Sequence, residues 1–409
     1  MSIAARTRLV AIATAFAVVL AGCSNKADDG NNGSGSVATD VGVDGDTITL
    51  GVLTDLTGVF AALGKDITNA NTLYWKTRKV CDRYTVKLDV QDTGYVPQQG
   101  VQLYSSIKSG VLAMQQTIGS PINAALAADY EADRIVNFPS AWGETLTDIP
   151  GTGLPGATYD VELSNGYDYM FKQGLLKEGD TVGHIYFEGE YGESGLAGTK
   201  FVAGKKKLTV VEAQIKATDQ DMSAQVSQFK ARGVDVIVLT VAPTQTASVA
   251  AAAQAQNMRV PILGSNPVFA PGLLQGPTAG WLTSYLHVAA PVSTFDRHPA
   301  LYDEYTKAYP ETRNPSAGVV LGYGMAEIMR QVLDAACERD DLTRQGVLNA
   351  FNELKQVDTN GLLVPIDSFT LHRSPSLQSF IFRPADVRGG AKVVQDAFEG
   401  EWAEQLAGR

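Results

Sequence analysis

The sequence predicts an α/β protein in which parallel sheets are covered by helices and divided between two lobes. Short β-rich segments alternate with helical patterns from Thr47 onward, and this alternation is typical of parallel sheets with helices on both faces. Roughly 360 residues follow this point, which is more than a single hydrophobic core usually holds. In such folds, ligands bind at the carboxyl ends of the strands.

The individual elements follow from local patterns. The predicted strands are 47–53, 85–90, 181–187, 209–214 and 234–240. The predicted helices are 223–232, 245–257, 319–338 and 342–354. Gly233 ends the first of these helices, Pro261 prevents extension of the second, and Asp341 is the expected N-cap of the last.

The N-terminus has the features of an export signal. Arg6 and Arg8 precede an apolar segment, 9–20, that is too short to span a bilayer comfortably. The segment ends in Leu-Ala-Gly-Cys, which resembles the lipobox of bacterial lipoproteins. We therefore predict a signal peptide over 1–22 and a lipid on Cys23, which would anchor an exported protein to the outer face of the cell membrane or leave it facing the periplasm. An ordinary signal with a chance cysteine, or a buried helix, are the alternatives.

The next segment, 23–46, is rich in Gly, Asn, Asp and Ser and has almost no large apolar residues. It cannot bury enough surface to offset the entropy lost on ordering, so it is predicted to be a flexible tether. Such a tether would let a folded body reorient at the membrane surface.

Charge and cysteine content restrict the partners and the chemistry. The formal net charge is −11, which argues against a nucleic acid partner. If Cys23 carries a lipid, then Cys81 and Cys337 are the remaining pair in an oxidising compartment, and we expect one disulfide between them. Two unpaired buried thiols are the alternative.

Catalytic motifs are missing from the sequence. The segment 151–156 formally matches the dinucleotide-binding fingerprint, but it lies in a loop and contains Pro155, so we interpret it as a chance match. There is no nucleophile elbow, no paired-histidine signature and no phosphate-binding loop, and the four histidines are scattered singly. The sequence thus predicts neither an enzyme nor a metal or cofactor site.

Three loops that directly follow strands are the candidate ligand contacts. The first contains Leu56 and Phe60, the second is Gly119-Ser120-Pro121 at the start of a helix, and the third contains Tyr191. Ser120 could be an N-cap, a ligand contact, or both, since a cap serine lies beside free backbone amides. Tyr191 could meet a ligand between the lobes or be a surface tyrosine at a helix start.

Together with the segments 135–141 and 233–237, these loops resemble the type I periplasmic-binding-protein family over 47–390. The similarity is to its leucine/isoleucine/valine-binding branch, the substrate-binding proteins of ABC importers. The resemblance implies two Rossmann-like lobes joined by three crossovers, with a ligand cleft between them. Lobe 1 would comprise 47–160 plus 288–364, lobe 2 161–287 plus 365–400, and 401–409 would form a C-terminal tail. Both Cys81 and Cys337 then belong to lobe 1.

The resemblance also implies a set of binding residues. Ser120 and the backbone of Ala141 match positions that hold a ligand carboxylate, and Tyr191 matches an aromatic residue that packs on the ligand from lobe 2. Leu56, Phe60 and Gly143 complete the expected set from the surrounding loops.

One position departs from the pattern of the amino-acid binders. Asn266 aligns with the acidic residue that pairs with the ligand ammonium, and an amide carries no charge for this role. Trp142 adds an aromatic surface beside Ala141. We therefore expect an amide or a carboxylate with an apolar or aromatic body, in preference to a zwitterionic branched-chain amino acid.

The predicted function is an extracytoplasmic solute-binding lipoprotein, monomeric, that captures a small organic solute by lobe closure and delivers it to the permease of an ABC importer. The predicted solute classes are amino acids, amides and aromatic or aliphatic carboxylates. The alternative function is a ligand-sensing lipoprotein that presents the same fold to a membrane receptor.

Overall fold

The computed structural model describes residues 37–312 and 314–408. The signal peptide, Cys23 and most of the predicted tether lie outside these residues. The strands are β1 (Ala38–Thr39), β2 (Val43–Asp44), β3 (Thr47–Thr54), β4 (Thr85–Asp92), β5 (Ala113–Ile118), β6 (Asn137–Ser140), β7 (Thr181–Phe187), β8 (Thr209–Ile215), β9 (Val236–Thr240), β10 (Ile262–Gly264), β11 (Leu286–Ala290), β12 (Asp341–Leu342), β13 (Lys355–Val357), β14 (Ile366–Ser368), β15 (Gln378–Pro384) and β16 (Ala391–Glu399). The helices are α1 (Ala61–Thr77), α2 (Pro97–Ile107), α3 (Ser120–Asp133), α4 (Tyr159–Lys172), α5 (Glu190–Lys206), α6 (Ser223–Ala231), α7 (Pro243–Ala255), α8 (Ala279–Tyr285), α9 (Pro299–Ala308), α10 (Gly318–Cys337), α11 (Arg344–Glu353) and α12 (Ala403–Ala407). Short 3₁₀ helices span Glu144–Asp148, Pro271–Gln275 and Arg388–Gly390.

Two separate sheets confirm the predicted α/β class. In the first sheet, β3 lies between β4 and β5 in parallel pairings, β6 continues it beyond β5, and the short β2 joins antiparallel. The second sheet has seven strands in the order β16-β15-β11-β10-β9-β7-β8, in which β15 pairs antiparallel with both β11 and β16. Every residue of β5 and of β9 is buried, as expected for central strands covered by helices on both faces.

The chain passes between the two sheets three times. It leaves the first sheet after β6, enters the second through α4, and returns after β11 to α9 and α10. Helix α10 packs against α1 and α11 beside the first sheet, and a last crossover leads to β15. The predicted boundary at 160/161 falls in the first turn of α4 and the one at 287/288 falls inside β11, so both elements belong whole to lobe 2.

The ordered body extends beyond both of its predicted ends. Within the predicted tether, β1 pairs with β12 and β2 pairs with the start of β3, because backbone groups that are free at these positions offer partners to an otherwise polar segment. At the other end, Trp402, Ala403 and Leu406 of the predicted tail are buried, and α12 packs on α4. These apolar side chains are buried against lobe 2, so the predicted tail is part of its folded body.

The prediction that Asp341 caps α11 is wrong. Pairing with β1 draws Asp341 into β12, and the N-cap is Thr343, whose hydroxyl accepts a hydrogen bond from the backbone of Gly346 at 3.1 Å. Asp341 instead accepts from the backbone of Thr343 at 3.1 Å.

The predicted disulfide is present. The sulfur atoms of Cys81 and Cys337 lie 2.11 Å apart and join the loop after α1 to the last residue of α10. The backbone N–H of Cys81 also donates to Asp334 at 2.8 Å. Within 37–312 and 314–408, no helix combines the length and apolarity needed to cross a bilayer.

Candidate functional site

A narrow cavity lies between the two lobes, at the carboxyl ends of strands from both sheets. The first lobe contributes loops that follow β3, β4, β5 and β6, and the second contributes the start of α4, the loop after β10 and parts of β15 and β16. Its free volume is about 50 Å³. This is the position at which ligands bind in open α/β sheets.

Most of the cavity wall is apolar. Side chains from both lobes form it: Leu63, Ile67, Val292, Leu321, Phe269 and Phe382. No lysine, arginine, aspartate or glutamate is among the described residues that line it. An apolar ligand body is therefore the complementary partner.

Aromatic rings connect the lobes along one side of the cavity. Phe60 lies 4.9 Å from Tyr95 within lobe 1, and it faces Tyr191 of lobe 2 at 6.4 Å between ring centroids. Tyr159 lies 4.6 Å from Tyr191 and 5.9 Å from Trp142. The rings pack edge-on or tilted, a geometry that stabilises aromatic pairs beyond their buried area.

Phe60 owes its position to a buried carboxylate. Asp55 at the end of β3 accepts hydrogen bonds from the backbone N–H groups of Gly58 at 2.5 Å and Phe60 at 2.9 Å. Leu56, in the same loop, is half-buried and outside the cavity lining. Its backbone N–H donates to Asp92 at 2.9 Å. In this structure Leu56 therefore helps to hold the loop and does not line the cavity.

The loop after β5 presents a helix N-terminus to the site. Gly119 has φ +98°, and a Cβ there would lie 2.7 Å from the ring of Tyr95, so only glycine fits this turn. Gly119 is the N-cap of α3 and Ser120 is its first residue. Ser120 is therefore not the N-cap. Its Oγ is buried and has no hydrogen-bond partner among the described residues.

Two further buried donors are also unpartnered within the described residues. They are Nε1 of Trp142 and Nδ2 of Asn266, and both residues line the cavity. Buried polar groups are nearly always hydrogen-bonded. Ser120, which is buried beside the cavity wall, adds a third orphaned polar atom to this part of the structure.

Asn266 is held by a carboxyl group that the sequence did not reveal. Its backbone N–H donates to Oε1 of Glu162 on α4 at 2.6 Å. Glu162 is fully buried, and burial raises the pKa of its carboxyl well above the usual range. An acidic group is thus present near the position where the predicted alignment found only an amide.

The predicted binding residues fall into three groups. Phe60, Trp142 and Asn266 line the cavity. Ser120, Ala141 and Tyr191 are buried next to this wall, Gly143 lies against Ser120, and Leu56 stands apart.

Sequence reasoning missed Tyr95, Tyr159 and Glu162. Tyr95 directly follows β4, as the recognised loops follow their strands, and this signal was available. Tyr159 and Glu162 lie on a helix, and nothing in the sequence connects that helix to Asn266.

Tyr191 is fixed by lobe 2 itself. Its hydroxyl donates to the carbonyl of Val241 at 3.2 Å and lies 3.0 Å from the hydroxyl of Ser265. The ring edge is therefore left to pack on Phe60 and Tyr159. In the part of the chain that is described, no group of three or more His, Cys, Asp or Glu side chains is placed to hold a metal ion.

Comparisons with known proteins agree with this architecture. The family profile described as "Periplasmic binding protein" matches residues 47–390. A fatty acid ABC transporter substrate-binding protein from Thermomonospora curvata is 39% identical, with a TM-score of 0.87 over 91% of this chain and 97% of that one. No curated protein sequence matches the chain.

More distant structures share the fold alone. A branched-chain amino acid ABC transporter protein from Thermus thermophilus with bound valine is 17% identical, with a TM-score of 0.76 over 88% of this chain and 98% of that one. A solute-binding protein from Rhodopseudomonas palustris in complex with 3,4-dihydroxybenzoic acid is also 17% identical, with a TM-score of 0.72 over 87% and 98%. Both confirm the predicted two-lobe fold.

Proposed function

This chain belongs to the periplasmic binding protein family, and from that membership we propose that it is the extracytoplasmic substrate-binding component of an ABC importer. Its proposed ligand is a fatty acid or a similar aliphatic carboxylate. The solute would be enclosed between the lobes and released to the permease.

The observation that carries this proposal is an apolar cavity wall with a small group of unpartnered polar atoms in it and beside it. Leu63, Ile67, Phe269 and Phe382 would enclose an alkyl chain, for which each buried methylene is worth about 0.8 kcal/mol. The orphaned atoms of Ser120, Trp142 and Asn266 would receive the carboxylate. The fatty acid named for the 39% identical relative supports the same ligand class.

The carboxylate is expected at the N-terminus of α3. Helix N-termini carry partial positive charge and attract anions without a basic side chain. At α3 the backbone N–H of Ser120 would serve this role, because Pro121 has no N–H and those of Ile122 and Asn123 donate to Gly119. Ser120 Oγ lies at this terminus, beside Gly143. An ammonium group would find no exposed carboxylate on the cavity wall, which argues against branched-chain amino acids as ligands.

The ligand class can be tested by thermal unfolding in the presence of saturated fatty acids from octanoate to hexadecanoate, each below its micelle concentration. Stabilisation by a ligand grows with its concentration relative to Kd, so it should increase with chain length until the cavity is filled. Decanol and leucine are the controls, because decanol lacks the carboxylate and leucine lacks the long chain. Stabilisation by leucine without any by fatty acids would reverse the assignment.

Membrane attachment through Cys23 is part of the same proposal. It is supported by the lipobox-like end of the predicted signal peptide, which lies outside the described residues. Labelling of cells with an alkynyl fatty acid should mark the wild-type protein, whereas Cys23→Ala should be unlabelled and released from membranes. Labelling of the Cys23→Ala variant would contradict lipidation at this residue.

A further inference from the structure

Glu162 is a buried carboxyl group with one oxygen unused. It lies on α4 and is 0% exposed. Oε1 accepts the backbone N–H of Asn266 at 2.6 Å, while Oε2 has no hydrogen-bond partner among the described residues. No basic side chain within 37–312 or 314–408 forms an ion pair with it.

This carboxyl lies directly behind the cavity wall. Asn266, which it holds, lines the cavity, and so does Tyr159 one turn earlier on the same helix. The titratable groups that face Glu162 are the hydroxyls of Tyr159 and Tyr191, whose own pKa values burial raises, with a further contribution from the charge of Glu162. Both tyrosines therefore stay neutral and offer no compensating charge.

An ionised carboxylate in this environment is costly, because it is removed from water and lacks a counter-ion. Burial accordingly raises the pKa of Glu162 well above its usual range. Because Oε1 already accepts a hydrogen bond, a bound proton belongs on Oε2.

We propose that Glu162 is a proton-holding residue that couples capture of an acidic ligand to the uptake of one proton. This inference rests on the proposed function and deepens it. A ligand carboxylate beside Asn266 and an ionised Glu162 would be two like charges in a water-poor site, so they exclude each other. Glu162 acts through Asn266 and is a positioning residue.

The sign of the proton exchange follows from the charge of the ligand. A carboxylate further raises the pKa of Glu162, so binding takes up a proton wherever the free protein is ionised, and affinity falls as pH rises through that range. An ammonium-bearing ligand has the opposite effect, because it favours the ionised carboxylate and releases the proton.

The test is calorimetric titration with decanoate between pH 6 and 9 in buffers of different ionisation enthalpy. We expect the wild-type protein to take up as much as one proton and to lose up to about tenfold in affinity for each pH unit. Glu162→Gln keeps the acceptor for Asn266 and should bind decanoate with a flat pH profile and no proton uptake. Glu188→Gln, an exposed acid in the same lobe, should behave as wild type.

Infrared difference spectra of the ligand-free proteins test the role of Glu162 separately from the fatty acid assignment. The carbonyl stretch of a protonated carboxylic acid should be present at pH 6 in the wild type, weaken toward pH 9 as Glu162 ionises, and be missing from Glu162→Gln throughout this range. Its absence, proton release on binding, or an unchanged pH slope in Glu162→Gln would overturn the role of Glu162. With the band present, failure of decanoate to bind would instead refute the fatty acid assignment, and the coupling with it.

Discussion

At the scale of single residues, the candidate site contains polar atoms that are buried but lack a hydrogen-bond partner among the described residues. A buried hydroxyl without a partner costs free energy that a ligand can recover. Ser120 Oγ is in this condition at the first residue of α3. Its contribution to binding should therefore be larger than that of an exposed serine.

Ser120→Ala is expected to weaken decanoate binding by about 1–3 kcal/mol, or roughly fivefold to a hundredfold. The thermal stability of the free protein should be unchanged or slightly increased, because the variant removes an unsatisfied polar atom. Calorimetry measures the first effect and thermal unfolding the second. Ser227→Ala, on the exposed face of α6, is the control, and equal affinity for both variants would place the carboxylate elsewhere.

Asp160 at the start of α4 predicts an unusual pH dependence of stability. The pKa of its carboxyl is raised to about 6, mainly by burial, while a hydrogen bond from Thr158 lowers it and the nearby charge of Glu144 raises it. Because the folded pKa exceeds the unfolded value, its stabilising contribution is complete below about pH 4 and is lost as pH rises through 6.

Asp160→Asn should therefore raise the free energy of unfolding by about 1–3 kcal/mol at pH 8 and change it little at pH 4. The asparagine retains an oxygen that accepts from Thr158. Chemical denaturation at the two pH values measures the difference, with the exposed Asp386→Asn as control. An equal effect at both pH values would show that the proton is not the cause.

At this scale, the sequence revealed site residues that lie next to a predicted strand along the chain. Ser120 and Phe60 directly follow predicted strands, so the loop rule located them. Glu162 and Asn266 are brought together only by the packing of α4 against the second sheet, across 104 positions. No local pattern encodes such a contact.

At the scale of elements, close approaches between helices and strand ends fix the loops of the site. Helix α5 illustrates this, because a Cβ at Gly192 would lie 1.8 Å from the carbonyl oxygen of Phe187 at the end of β7. Gly204, near the other end of the same helix, has nothing within 4 Å of that position. One helix thus offers a buried glycine and a matched exposed control.

Gly192→Ala should lower stability by about 1–3 kcal/mol or more, because backbone atoms cannot move aside. It should also weaken ligand binding, since the displaced turn carries Tyr191. Gly204→Ala should instead stabilise by about 0.5–1 kcal/mol through the higher helix propensity of alanine. Thermal and denaturant unfolding of the pair provide the measurement, and equal behaviour would contradict the close packing of α5 on β7.

Element prediction succeeded where pattern and burial agree. The strand predicted at 181–187 matches β7, and the helix at 319–338 is shifted by one residue from α10. Prediction failed where a strand forms only through pairing with a distant segment. An example is β12, which is a strand because it pairs with β1. The partly exposed β16 was also missed, because its alternation is not that of a buried parallel strand.

At the scale of the whole molecule, hydrogen bonds outside the cavity join the two lobes. The hydroxyl of Thr145 in the first 3₁₀ helix donates to Glu190 at the start of α5, and the backbone N–H of Glu144 donates to Ser194 at 3.3 Å. These bonds lie outside the cavity and are formed only when the lobes are together. They therefore favour the closed arrangement without touching the ligand.

Lobe organisation could be inferred from the sequence only through family resemblance. Alternation of strands and helices predicts parallel sheets, yet it does not say that α10 and α11 return to the first sheet after β11. That return depends on apolar faces of α1 and α10 that match in three dimensions.

Thr145→Val tests the role of closure, because it removes a donor while keeping the side-chain shape. An exposed hydrogen bond contributes about 0.5–1.5 kcal/mol, and apparent affinity falls with the fraction of closed, binding-competent protein. We expect decanoate to dissociate about two- to tenfold faster, with unchanged unfolding temperature of the free protein. Small-angle scattering should show the same ligand-induced decrease in radius of gyration, reached at higher decanoate concentration. Thr209→Val on the exposed edge of lobe 2 should change neither the dissociation rate nor the scattering response. Faster dissociation in that control would mean that the effect of Thr145→Val is not specific to the contact between lobes.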